Sequence, residues 1–100
     1  MRQWQKPVEL SPLETWRIPN SAGVYVLLED AAKLGSVLKI APARSLRETF
    51  ERELAPDLAA PAQPRAMMFF EAVDNAQEAD RLLRAYRDRN GKRPVLNSPY

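Results

Sequence analysis

Residues 23–54 constrain the fold more than any other stretch, because they combine two apolar strand patterns with a helix signal. The run Gly23–Leu28 is apolar on both faces of a strand, which predicts an inner strand covered on two sides. Residues 37–41 predict a second strand after a polar loop. Lys39 lies in that strand on the face opposite its apolar neighbours, so we expect this face to open onto a groove. Ser45, with a glutamate three residues later, is typical of a helix start.

The second half of the chain predicts a loop, a third strand and a second helix. Three prolines within residues 55–65 exclude regular structure there. Residues 66–73 are dense in bulky apolar groups, which favours a strand. Asp74 or Asn75 is expected to cap the second helix, and Asn90-Gly91 is expected to end it.

The order of these elements predicts a small α+β domain of the form β-β-α-β-α, with a three-stranded sheet flanked by helices. The chain of 100 residues is long enough for one domain, which we place at residues 19–97. Residues 1–18 are expected to form an N-terminal extension, and residues 98–100 a tail.

The N-terminal extension carries a helix signal and two tryptophans. Ser11 followed by Pro12 is typical of a helix N-cap and first helical position, so a short helix is expected there. Trp4 and Trp16 are expected to pack as lids over the sheet, because lone tryptophans in small domains are usually buried.

Composition excludes several classes of site. The sequence has no cysteine and no histidine, which excludes disulfides, thiol nucleophiles and the commonest general base. No cofactor is expected, and a magnesium ion only if the chain is catalytic. No apolar run approaches the roughly 20 residues of a membrane-spanning helix, and no secretory signal is visible. We therefore expect a cytoplasmic protein with no membrane partner.

Basic residues are concentrated near the end of the chain. A basic end on a mildly acidic chain can attract phosphate. Alternatively, these cations form a solvated helix face and suit the negative end of the helix dipole. The sequence leaves both interpretations open. Residues 81–93 contain one acidic residue, Asp88, and six basic residues: Arg81, Arg84, Arg87, Arg89, Lys92 and Arg93.

Several short strings occur in the order typical of a nuclease family. Gly23-Val24-Tyr25 stands in the first strand, and residues 39–46 continue from the second strand into a helix. Glu78-Ala79 and Leu82 fall on the second helix, and Pro94-Val95-Leu96-Asn97 follows it. In these features the chain resembles the GIY-YIG nuclease domain, a family that includes the nuclease half of an excision-repair protein and certain homing endonucleases.

The resemblance, which covers roughly residues 18 to 97, implies a set of positions where the family has catalytic groups. In that family, tyrosines position or deprotonate the attacking water, an arginine offsets phosphate charge, and a glutamate holds magnesium. A closing asparagine follows. The two tyrosines of the family correspond to Tyr25 and Lys39, and the arginine corresponds to Thr49. The glutamate corresponds to Leu83 and the closing asparagine to Asn97.

Three of these positions depart from the family pattern in ways that disfavour catalysis. Leu83 stands where the metal-binding glutamate is expected, and Lys39 and Thr49 replace a tyrosine and the arginine. The loss of one well-placed electrostatic group typically costs ~2.7–4 kcal/mol in the transition state. Arg52 and Asp80, each one helical turn from the expected position, are the candidate substitutes.

Three functions follow from this sequence. The first, which we favour, is a catalytically inactive domain that binds nucleic acid, DNA or RNA, through a basic surface. The second is a protein-interaction or dimerisation module whose contact surface includes the tryptophans and the 55–65 loop. The third is a magnesium-dependent DNA endonuclease with migrated residues. The basic surface of the first function comprises Lys39, Arg44, Arg47, Arg81, Arg84, Arg87, Arg89, Lys92 and Arg93.

Overall fold

Four strands and three helical segments make up the part of the chain that the structure, a computed structural model, describes: residue 4 and residues 6–97. The predicted tail, residues 98–100, lies outside the described residues. In chain order the elements are β1 (Val8–Glu9), a short 3-10 helix (Pro12–Arg17), β2 (Gly23–Leu28), β3 (Val37–Ala43), α1 (Leu46–Glu53), β4 (Ala66–Glu71) and α2 (Asn75–Asn90).

The strands form one antiparallel sheet in the order β1-β4-β2-β3. This confirms the α+β class but adds a fourth strand to the three that the sequence predicts. The added strand, β1, lies in the predicted N-terminal extension, where Val8 pairs with Met67 and Glu9 with Ala66. Two residues are too few to show the alternation that identifies a strand from sequence.

β2 is one of the two inner strands of the sheet, and every one of its residues is buried. Tyr25 and Leu27 belong to a core cluster that includes Phe50 of α1. Val24 and Val26, on the opposite face, belong to a second cluster that includes Ala79 of α2. The sheet therefore has α1 on one face and α2 on the other, as the apolar pattern of β2 predicts.

The predicted start of α1 and the predicted end of α2 are present in the structure, whereas Asp74 occupies the N-cap position of α2 without a side-chain capping hydrogen bond. Ser45 caps α1, and its Oγ accepts a hydrogen bond from the Glu48 backbone N–H at 3.2 Å. Gly91 ends α2 with φ of 78°, in the left-handed region that glycine adopts without strain. At the other end of α2, the Asn75 side chain donates to the Ala43 carbonyl at 2.9 Å, which joins the helix start to the end of β3.

Gly23 occupies a position with no room for a side chain. A Cβ at this residue would lie 2.3 Å from the Phe70 carbonyl oxygen and 2.7 Å from Leu46 Cδ1. Two strands and the first residue of α1 therefore meet at this point. The glycine of the Gly-Val-Tyr string has a packing role that does not depend on catalysis.

The two tryptophans differ in their packing. Trp4 contacts Phe70 edge-on, with ring centroids 4.6 Å apart. Trp16 is 72% exposed on the short 3-10 helix, so the expectation that it covers the sheet is wrong. The guanidinium of its neighbour Arg17 lies 5.6 Å from the centroid of the Trp16 ring. Leu13, on the same helix, is 81% exposed.

None of the helices within residue 4 and residues 6–97 has the length and apolarity that crossing a lipid bilayer requires.

Candidate functional site

Tyr25 and Lys39 lie next to each other on the sheet face that α1 covers. Lys39 is paired with Leu27 in the sheet, so its side chain is on the same face as those of Leu27 and Tyr25. Lys39 Nζ lies 5.9 Å from the centroid of the Tyr25 ring, within cation–π range. Tyr25 is only 3% exposed. An attacking water would therefore have little access to its hydroxyl group.

Thr49 and Arg52 lie on α1 above the same face. Thr49 is 4% exposed, and its Oγ1 accepts from the Arg52 guanidinium at 3.4 Å. Arg52 and Lys39 line one cavity. The structure thus brings Tyr25, Lys39, Thr49 and the candidate substitute Arg52 to one side of the sheet.

Leu83 lies on the other side of the sheet. It packs against the cluster that contains Val24 and Ile40, beneath α2. The candidate substitute Asp80 is on the outer surface of α2, where its carboxylate is 3.0 Å from the Arg84 guanidinium. The position assigned to the metal-binding glutamate is therefore not in one cleft with Tyr25. In the described part of the chain, no group of three acidic, histidine or cysteine side chains is arranged to hold a metal ion.

Asn97 is engaged with the backbone of β3. Its carboxamide donates to the Ile40 carbonyl at 2.8 Å and accepts from the Ile40 N–H at 3.0 Å. The backbone N–H of Leu96 donates to the Leu38 carbonyl at 2.8 Å. Both hydrogen-bonding groups of the Asn97 side chain are used in this way.

The groove expected at Lys39 is present as a cavity of about 420 Å³, which we name the Lys39 cavity. It lies between the end of α1, the 55–65 loop and the sheet. Its loop residues could not be predicted from the sequence, because they follow no periodic pattern. Its lining includes Leu27, Lys39, Arg52, Glu53, Leu54, Asp57 and Leu96.

The basic residues predicted to form one surface are in fact divided among several places. Arg44 is exposed in the turn between β3 and α1, while Arg47 Nε donates to the Ile18 carbonyl at 2.8 Å. Arg81 pairs with Glu78 at 2.8 Å, and Arg84 pairs with Asp80. The sequence contained a signal for both ion pairs, since each acid stands one helical turn before its arginine.

A second cavity, the cationic cleft, lies where α2 ends. It has a volume of about 600 Å³ and is lined by Arg87, Lys92 and Arg93 together with Gly91, Pro94, Val95 and Asn97. No acidic side chain is among these described lining residues. Arg89 is exposed nearby on the last turn of α2 but does not line the cleft. Three of the nine predicted basic residues thus share one cavity.

The two cavities meet at a turn over residues 94–97, where the Asn97 backbone N–H donates to the Pro94 carbonyl at 3.0 Å. Leu96 lines the Lys39 cavity, whereas Val95 and Asn97 line the cationic cleft. One short turn therefore forms part of both walls.

Comparisons with models of known protein families, with curated proteins and with solved structures give no match for this chain.

Proposed function

We propose that this chain is a catalytically inactive, GIY-YIG-like domain that binds the phosphate backbone of nucleic acids through the cationic cleft. The observation that carries this proposal is the lining of the cleft, where Arg87, Lys92 and Arg93 occur together and none of the described lining residues is acidic. Arginine and lysine are the main phosphate-binding side chains in proteins that contact nucleic acids.

The lack of catalysis is argued from the side chains themselves. Leu83 supplies hydrocarbon where the related chemistry needs a carboxylate, and it lies across the sheet from Tyr25. Tyr25 is buried, and Asp80 already pairs with Arg84. The residues that would activate water and hold a cation therefore do not share a site.

Binding of this kind is electrostatic, so it should have little sequence preference and a steep dependence on salt. Each phosphate contact contributes about 0.9 to the slope of log affinity against log salt for duplex DNA. Arg87 and Lys92 can neutralise only a few phosphates, and we expect weak binding that is measurable at low salt.

Fluorescence anisotropy with a labelled DNA duplex and a labelled RNA strand tests the proposal. Arg87→Glu and Lys92→Glu should each weaken binding roughly tenfold at low salt, because a phosphate contact is replaced by repulsion. Arg81→Glu is the matched control, since it makes the same charge change at an arginine that is paired with Glu78. If neither nucleic acid binds at low salt, or if all three variants weaken binding equally, the proposal is wrong.

A protein-interaction or dimerisation module is the second candidate, and the exposed residues of the short 3-10 helix favour it. Leu13 and Trp16 present apolar side chains to solvent on one short element. Light scattering should then show an oligomer that dissociates in the Leu13→Ser/Trp16→Ser double variant. Val73→Ser is the control, because Val73 is also exposed and lies outside both the short 3-10 helix and the 55–65 loop. A monomer at every concentration would exclude self-association.

A further inference from the structure

The lining of the Lys39 cavity is mixed, with both apolar side chains and cations. Leu27, Leu54 and Leu96 line it together with Lys39 and Arg52. Its volume of about 420 Å³ is within the range of small-molecule sites, in which a few polar groups fix the orientation of the ligand. It is separate from the cationic cleft, although segment 94–97 borders both.

Neither cation of the cavity forms an ion pair within the described part of the chain. Lys39 makes no ion pair there, and its ammonium group lies over the Tyr25 ring. The guanidinium of Arg52 contacts the neutral hydroxyl of Thr49 at 3.4 Å, which is a long hydrogen bond. A negatively charged ligand would therefore gain two attractive partners without breaking an existing ion pair.

Two carboxylates on the cavity lining limit how much negative charge the ligand can carry. Glu53 and Asp57 both line the cavity. The Asp57 carboxylate accepts a hydrogen bond from the Ala59 backbone N–H at 3.1 Å, which holds it in its own loop turn. Because two cations and two carboxylates line the cavity, it favours a ligand with a single negative charge over a phosphate monoester with two.

From this lining we infer that the Lys39 cavity binds a small monocarboxylate with an apolar body. The carboxylate would lie between Lys39 and Arg52, and the apolar body against Leu27, Leu54 and Leu96. A carboxylate of this kind occurs both in free organic acids and at the C-terminus of an apolar peptide. This inference does not depend on nucleic-acid binding, because none of these residues lines the cationic cleft.

Two-dimensional amide NMR of the full chain tests the inference with named probes. 4-Phenylbutyrate represents a free acid and N-acetyl-leucyl-leucine a peptide C-terminus, each compared with its neutral amide. We expect saturable shifts at the amides of Lys39, Leu54 and Leu96 with at least one acid. Which of the two acids binds identifies the source, and either result supports the inference.

Variants of the two cations test their role directly. Lys39→Gln and Arg52→Gln should each weaken acid binding roughly tenfold, as expected for loss of a charge-assisted contact. Lys39→Arg should retain binding, which guards against an effect of altered folding. Arg81→Gln on α2 is the matched control and should change nothing. Arg87→Glu should leave acid binding unchanged, because Arg87 lines the cationic cleft and not the Lys39 cavity, so failure here is distinguishable from failure of the proposed function.

Several results would overturn the inference. Equal binding of an acid and its neutral amide would mean that the cations play no part. Absence of saturable shifts with both acids would mean that the cavity is not a site for this class. Tighter binding of adenosine monophosphate than of 4-phenylbutyrate would reassign the cavity to phosphate monoesters.

Discussion

The side chain of Asn97 takes the place of a neighbouring strand for Ile40. Its amide nitrogen and oxygen form hydrogen bonds of 2.8 and 3.0 Å with the carbonyl and N–H of that residue. β3 is an edge strand, and an unpaired edge exposes backbone groups that can pair with other chains. The asparagine that the family resemblance assigns to the site therefore has a structural role in covering this edge.

Asn97→Ala should destabilise the fold by about 1–3 kcal/mol, because it leaves the partly buried N–H and carbonyl of Ile40 without their partner. Urea denaturation measures the change. Asn90→Ala is the control, since the Asn90 amide donates to the Tyr86 carbonyl at the exposed end of α2. Equal losses in both variants would contradict the role given to Asn97.

Gly23→Ala should destabilise the domain by about 1–3 kcal/mol or more, because the added methyl group would overlap the Phe70 carbonyl and Leu46. For a domain of this size, each kcal/mol corresponds to roughly 4–8 °C in Tm. Thermal unfolding followed by circular dichroism gives the value. Gly35→Ala should be neutral, since nothing lies within 4 Å of its added Cβ. If the Gly23→Ala variant has the same Tm as the parent protein, the strands move apart easily to accommodate the methyl group.

Ser45→Ala should lower stability by about 0.5–2 kcal/mol, the range for loss of an N-cap. The Ser45 hydroxyl accepts from the Glu48 N–H and also donates to the Asn20 side chain, so one substitution breaks two contacts. Ser11→Ala removes the corresponding cap of the short 3-10 helix, where the Ser11 hydroxyl accepts one hydrogen bond, at 3.3 Å, and should cost less because only this contact is lost. The reverse order, measured by chemical denaturation, would contradict this ranking.

Leu83→Glu should not create a magnesium-dependent nuclease. The new carboxylate would stand beneath α2, across the sheet from Tyr25 and Thr49, and should instead destabilise the α2 face by about 1–3 kcal/mol. Incubation of supercoiled plasmid with magnesium tests this variant and the parent chain together. Cleavage by the variant alone would show that Leu83 does reach the site, and cleavage by the parent that is lost in Asp80→Ala would favour migrated catalytic residues.

The elements that could be predicted from the sequence are those fixed by local chemistry. The Ser45 cap, the Gly91 helix end and the apolar faces of β2 each depend on residues close together in the chain. Lys39 also predicted a groove, because a charged side chain in a strand covered on both faces needs open space beside it. The Lys39 cavity is that space.

The features that could not be predicted depend on contacts between distant segments. β1 pairs with a strand almost sixty residues later, and two residues show no pattern of their own. The positions of Tyr25 and Leu83 on opposite sheet faces depend on which side of the sheet α2 packs against. Assigning the family's positions by their order along the sequence does not show which sheet face each residue lies on.

The turn over residues 94–97 makes its length a shared constraint on two surfaces. Because Leu96 lines one cavity and its neighbours Val95 and Asn97 line the other, inserting or deleting one residue before Leu96 would change the side chains that the turn presents to both. Such a change in length would thus alter both surfaces at once. Point substitutions can adjust either surface alone, but the spacing between Gly91 and Asn97 can change only for both together.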